Sequence, residues 1–130
     1  MNPVFLSLAA VLEIHRHQVE LYGGLDGIRD QGGLESAIGT PQATFGGEYL
    51  HGSVPAMAAA YLFHIAKNHP FLDGNKRTGA NAAVTFLYVN GWSLDLNVSE
   101  FIAVVLAVAS GTMGKAELTE LFAAKCQRAE

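Results

Sequence analysis

One cysteine, Cys126, is all the chain carries. A lone thiol excludes a disulfide framework and a thiolate zinc site, and it fits a reducing cytoplasm, the expected location. Charge is scarce as well. Charged residues make up 15% of the 130, low for a soluble domain. Lys and Arg number 8 against 12 Asp and Glu, a formal net charge of −4 without a basic cluster, so nucleic acid is not expected as the main partner. Long apolar runs are missing too. The longest, in EFIAVVLAVASG, falls well short of the ~20 residues that span a bilayer and suits a buried core helix, so no membrane partner is expected. MNPVFLSLAAVLE has no basic region ahead of its apolar residues and is expected not to be a signal peptide. No repeat, low-complexity tract or linker divides the chain, and residues 1–130 read as one domain able to bury one core.

Half of the residues are apolar, and their spacing is helical. Leu8, Val11, Leu12, Val19 and Tyr22 recur at helical intervals with His15 on the same stripe, and Gly23–Gly24 supplies a stop. Asp30 can cap a short helix carrying Leu34, Ala37 and Ile38. QATFGGEYLHGS has turn glycines and no helical period, and reads as a loop or small hairpin. Pro55 suits the first turn of a helix running through Met57, Tyr61, His64 and Ile65 to about Asn68. His69 precedes a proline, which disfavours the helical region and ends that helix. Ala80, Ala83, Val84, Leu87 and Tyr88 are expected as the core stripe of the next helix, closed by Asn90–Gly91. Asn97 and Glu100 have capping-box spacing, Gly111 stops the helix they open, and a last helix carries Leu118, Leu121 and Phe122. The expected fold is all-α, a compact bundle of about six helices with two central apolar ones.

Between those two central helices lies NHPFLDGNKRTGAN, Asn68 to Asn81, crowded with polar groups. Gly74 and Asn75 fall at a helix N-terminus, where free N–H groups and the macrodipole favour an anion such as phosphate. Lys76 and Arg77 add cationic donors, Arg with a fork that binds two oxygens at once. Arg77 and Asn81 share a helix face, expected to lie opposite an Ala80/Val84 stripe facing the core. Asp73 is a hard oxygen ligand suited to Mg²⁺ held mostly by phosphates and water. His69 can take a proton from a hydroxyl nucleophile. Singly, His69 reads as a helix-terminal residue and Asp73–Gly74 as a common turn. Together they amount to phosphoryl- or nucleotidyl-transfer equipment, because a structural turn does not call for basic residues at both 76 and 77.

HPFLDGNKR resembles the motif of the Fic/Doc family, and Lys76 makes it similar to the Doc (death-on-curing) toxin branch. The likeness extends through HRHQVELYGGLDGIRDQGGLESAIGTPQATFGG upstream and TFLYVNGW downstream. It implies a compact all-α fold with the motif in a loop between two central helices. It also implies catalytic parts for His69 as general base, Asp73 through Mg²⁺, and Arg77. Gly74, Asn75, Lys76, Arg77 and Asn81 would hold the phosphates of ATP, the co-substrate, with Phe71 as a buried anchor. Fic enzymes proper have Gly where Lys76 stands, commonly carry a second Arg where this chain has Ala80, and transfer AMP. In the Doc branch ATP binds reversed and its γ-phosphoryl is transferred to elongation factor Tu, stopping translation. Both departures imply a toxin kinase restrained by an antitoxin protein; an AMP-transferase and a non-catalytic anion- or partner-binding module are the alternatives.

The other candidates are weaker. His15, His17, His51 and His64 form no i, i+4 pair, so a transition-metal site is not expected, and His15 and His64 read as satisfied core histidines. Arg29–Asp30 and Glu35 are expected to fix the turn before the second helix, and the resemblance leaves them room as support for the site. TFGGEY lies where Fic enzymes carry a target-aligning flap, and reads as either a flap or a connector. Thr44 to Glu48 partly matches the self-inhibitory Ser/Thr-x-x-x-Glu-Gly/Asn helix but is followed by Tyr49, and reads as coincidence.

Overall fold

A computed structural model describes residues 1–129. Six α-helices account for most of it: α1 (Leu8–Tyr22), α2 (Gln31–Gly39), α3 (Val54–Asn68), α4 (Asn75–Val89), α5 (Val98–Ser110) and α6 (Lys115–Lys125). Their ends follow local chemistry. Ser7, Asp30, Ser53 and Asn97 each accept a bond from an orphan N–H of the helix they open, and Asn97 and Glu100 complete a capping box. Gly23 and Gly111 stop α1 and α5 at positive φ.

Helix α3 is buried almost all round, through Met57, Ala58, Ala59, Ala60, Tyr61, Leu62, Ile65 and Ala66, as expected of a central helix. Helix α4 packs along it through Gly79, whose missing side chain lets α4 approach the Leu62 carbonyl. Phe86 and Phe122 are fully buried beside it, each worth about 1.5–3 kcal/mol on apolar transfer. Tyr61 inside this core donates nothing outward. Its oxygen accepts the Leu6 N–H at 3.0 Å, and burial pushes its hydroxyl up to about 12.

Three expectations meet the structure differently. First, QATFGGEYLHGS does contain the small hairpin, β1 (Thr44–Phe45) against β2 (Glu48–Tyr49), and the Thr44–Glu48 match is, as expected, no inhibitory helix. The second antiparallel pair, β3 (Trp92–Leu94) with β4 (Cys126–Arg128), was not legible, because three-residue strands more than thirty positions apart carry no period. Secondly, the buried face of α4 is Thr78, Gly79, Ala82, Ala83, Phe86 and Leu87, while Val84 is 42% and Tyr88 80% exposed. Residues 77, 80, 81 and 84 stand at i, i+3, i+4 and i+7, so Ala80 and Val84 share the face of Arg77 and Asn81 instead of opposing it. Thirdly, only one of the two core histidines is satisfied. His15 is buried with its Nε2 bonded, whereas His64 Nε2 is enclosed without a partner. Burial, with Lys115 and His51 nearby, pushes His64 down to about 4.

Candidate active site

The motif loop leaves α3 by an uncommon route. His69 has φ 48° and ψ 53°, making it the one non-glycine residue at positive φ among those described. The following proline ends the helix as expected, but the residue turns left-handed instead of extended, a conformation costing about 1–3 kcal/mol that its surroundings must offset. Gly74 closes the loop, again left-handed at φ 79°, and α4 begins. A Cβ there would have room, so it is the backbone angle that calls for glycine.

Between those ends the loop is tied to the scaffold. Asn75 is 6% exposed and answers both backbone groups of Phe71: its Oδ1 accepts the Phe71 N–H at 2.9 Å, and its Nδ2 donates to the Phe71 carbonyl at 3.0 Å. The same Nδ2 faces His69 Nδ1 at 3.4 Å, so in this pose Nδ1 is the acceptor and the neutral ring carries its proton on Nε2. Phe71 is buried with its ring stacked on His15 at 3.8 Å, and His15 Nε2 donates to the Asp73 carbonyl at 2.8 Å. Asp73 Oδ2 accepts the Leu25 N–H at 2.7 Å, with Gly24 lying against the Asp73 side chain at φ 106°.

These ties decide what faces outward. His69, Asp73, Gly74, Asn75, Lys76, Arg77 and Asn81 all line one cleft of about 1030 Å³, closed by Gln18 and Tyr22 of α1 and by Phe101, Ile102 and Val105 of α5. The structure thus brings together every residue singled out in the motif. At the cleft floor the N–H groups of Gly74, Asn75, Lys76 and Arg77 have no acceptor among the described residues, since the first helical bond of α4 is Thr78 N–H to Gly74 O at 2.9 Å. Asn75 commits its side-chain amide to the loop, which leaves its N–H unpaired among the described residues. Arg77 lies over the Tyr22 ring at 4.4 Å, which holds its guanidinium at the rim. Lys76 makes no ion pair among the described residues. Asn81 bonds the Arg77 carbonyl through Nδ2 at 2.8 Å.

Sequence reasoning missed Gln18, Tyr22, Gly24, Leu25 and the part of His15. The Gly23–Gly24 pair was a signal read only as a helix stop. Their contacts to the loop cross some fifty positions of chain, beyond the reach of any local pattern. The hairpin expected as flap or connector does not line this cleft; Tyr49 rests on Phe5 at 5.6 Å, while Phe45 is 80% exposed.

A left-handed histidine stands at one end of the loop, a carboxylate oxygen and an unpaired helix N-terminus at the other, with two cations beside it. The profile of the Fic/DOC family matches residues 5–87, and the chain belongs to that family. Over 73 residues, 56% of the chain, it is 45% identical to the protein named Toxin Doc of Mycolicibacterium smegmatis. Over 86 residues, 66% of the chain, it is 37% identical to the protein named Protein kinase doc of Escherichia phage P1. The aligned stretches span 56% of the first relative's length and 68% of the second's.

Proposed function

We propose that the chain is the toxin of a toxin–antitoxin pair and acts as a protein kinase, transferring the γ-phosphoryl of ATP to a hydroxyl of a translation factor, elongation factor Tu by family resemblance. The observation that carries this reading is the convergence of His69, Asp73, Lys76 and the unpaired N-terminus of α4 on one cleft. A binding module would need the anion cradle but neither the base nor the carboxylate. The names of the two relatives, a toxin and a kinase, support the same assignment.

The residues fit the groups such a reaction requires. The cleft is large enough for a nucleotide, which falls at the upper end of ligand-sized pockets of about 300–1,000 Å³. Asp73 Oδ2 accepts from Leu25, and Oδ1 has no partner among the described residues, one hard oxygen of the kind Mg²⁺ takes when phosphates and water supply the rest. Magnesium held there would neutralise charge on the phosphate oxygens. The N–H groups at the start of α4, with Lys76 and Arg77, hold and orient the phosphates. His69 accepts the proton of the attacking hydroxyl. In the resting tautomer its basic lone pair is on Nδ1 and already faces the Asn75 amide, so the ring takes the proton there only by giving up that contact, or first exchanges its Nε2 proton with solvent.

Lys76 directs the choice of phosphoryl group, since a lysine in the anion cradle occupies space that a glycine would leave to phosphate. Incubation with ATP labelled at the α- or γ-position and a cell lysate should give protein labelled from the γ-position alone. Label from the α-position would move the chain to the AMP-transferases. No label from either would return it to the binding modules.

A further inference from the structure

Residues Gly27–Asp30 pair with the motif loop as a short antiparallel ribbon. Ile28 stands opposite Phe71, and the Leu72 N–H donates to the Gly27 carbonyl at 3.0 Å. The N–H groups of Arg29 and Asp30 both reach the Pro70 carbonyl, at 2.7 and 3.1 Å. These backbone bonds alone would hold a turn. The Arg29 side chain does something further: it folds back on the end of α3, with Nε donating to the His69 carbonyl at 2.6 Å and Nη2 to the Asn68 carbonyl at 2.9 Å. One residue therefore serves the carbonyls of 68, 69 and 70 in succession.

Those carbonyls lie at the negative end of α3, where intrahelical donors run out and a cation is favoured. A planar guanidinium bonded to two successive carbonyls fixes the peptide planes on both sides of the His69 α-carbon, and with them the direction in which its side chain leaves. The flanking groups are fixed in turn. Asn68 Nδ2 donates to the Gly33 carbonyl at 3.0 Å, and Asp30 caps α2 through Oδ1. The nearest carboxylate oxygen to the guanidinium is Asp30 Oδ2 at 4.0 Å, too far for a bidentate ion pair, so its donors remain with the carbonyls.

We infer that Arg29 is a positioning residue for His69, holding the left-handed backbone from which the imidazole enters the cleft. The kinetic part of this inference rests on the phosphotransfer reading above; the structural part does not.

The experiment compares wild type with Arg29→Ala, Arg29→Gln and Arg29→Lys. In the nucleotide-free proteins the His69 amide and ring resonances are followed by NMR, and label transfer from γ-labelled ATP gives kcat and KM. Arg29→Ala should shift the His69 resonances and lower kcat by about 10- to 100-fold while KM for ATP stays within about twofold, because a misplaced base loses rate and not binding. Gln, with a single donor nitrogen and no charge, and Lys, with charge but no fork, should fall between. Unmoved His69 resonances with unchanged kcat, or a loss confined to KM, would overturn the inference. Should the alanine variant fail to fold, Gln and Lys decide it on the same readouts. Should wild type transfer no label, the phosphotransfer reading falls, and the NMR comparison alone decides the part of Arg29.

Discussion

Replacing His69 by alanine separates chemistry from binding at a single residue. The phosphate-facing groups of Gly74, Asn75, Lys76 and Arg77 do not depend on the imidazole, so transfer should fall by roughly 10²–10⁴ while ATP affinity stays near wild type. Retained activity in a folded variant would remove His69 from the chemistry. His64 offers a second test of one side chain. Its Nε2 is enclosed without a partner and its folded value lies near 4, below the usual 6.5. The unfolded chain therefore binds a proton that the folded one resists. Stability should be unaffected above about pH 6.5 and decline as pH falls from there toward 4. Melting temperatures across that window should slope less in His64→Leu, and an unchanged slope would place the pH dependence elsewhere. At this scale the sequence led to residues that the fold brings to one cleft, but not to their bonding partners. Asn75 read as a phosphate ligand with its backbone in the anion hole; that its side-chain amide bonds both backbone groups of Phe71 was not legible.

Helices were the most legible elements, because caps and stops are written in adjacent residues: Asp30, Asn97 with Glu100, Gly111. What a local pattern could not give was which face of α4 turns inward. Gly79 lies on that inward face, where α4 comes close to Leu62 and Ile65 of α3. A Cβ at 79 would sit 3.3 Å from the Leu62 carbonyl oxygen and 3.4 Å from Leu62 Cδ1. Gly79→Val should thus push the two central helices apart and cost about 1–3 kcal/mol, read as a lower urea midpoint, with Gly79→Ala milder. An undiminished midpoint would show that the helices can separate freely there. The loop's partners were illegible for the same reason of distance. Arg29 and His15 reach it across 40 and 58 positions of chain, and only the folded topology brings them to one place.

For the whole molecule, half the composition is apolar and not all of it is inside. Val98 is 77%, Ile102 53% and Leu106 51% exposed along α5, and with Val84 they form the apolar wall of the cleft. The antitoxin proposed with the toxin reading would cover such a wall, an amphipathic helix being the form that suits a groove. Expressing the chain alone should arrest growth, and expressing it with the product of the adjacent reading frame should relieve the arrest and yield a co-purifying pair. A harmless chain without a co-purifying neighbour would count against the toxin reading. One feature of the loop bears on this arrangement. His69, Phe71, Asp73 and Asn75 are each bonded to the scaffold before any nucleotide arrives. A tool clamped this way leaves little for a substrate to assemble. Under the toxin reading, such a molecule would be governed from outside, by how often its mouth is stoppered and by how many copies the cell keeps.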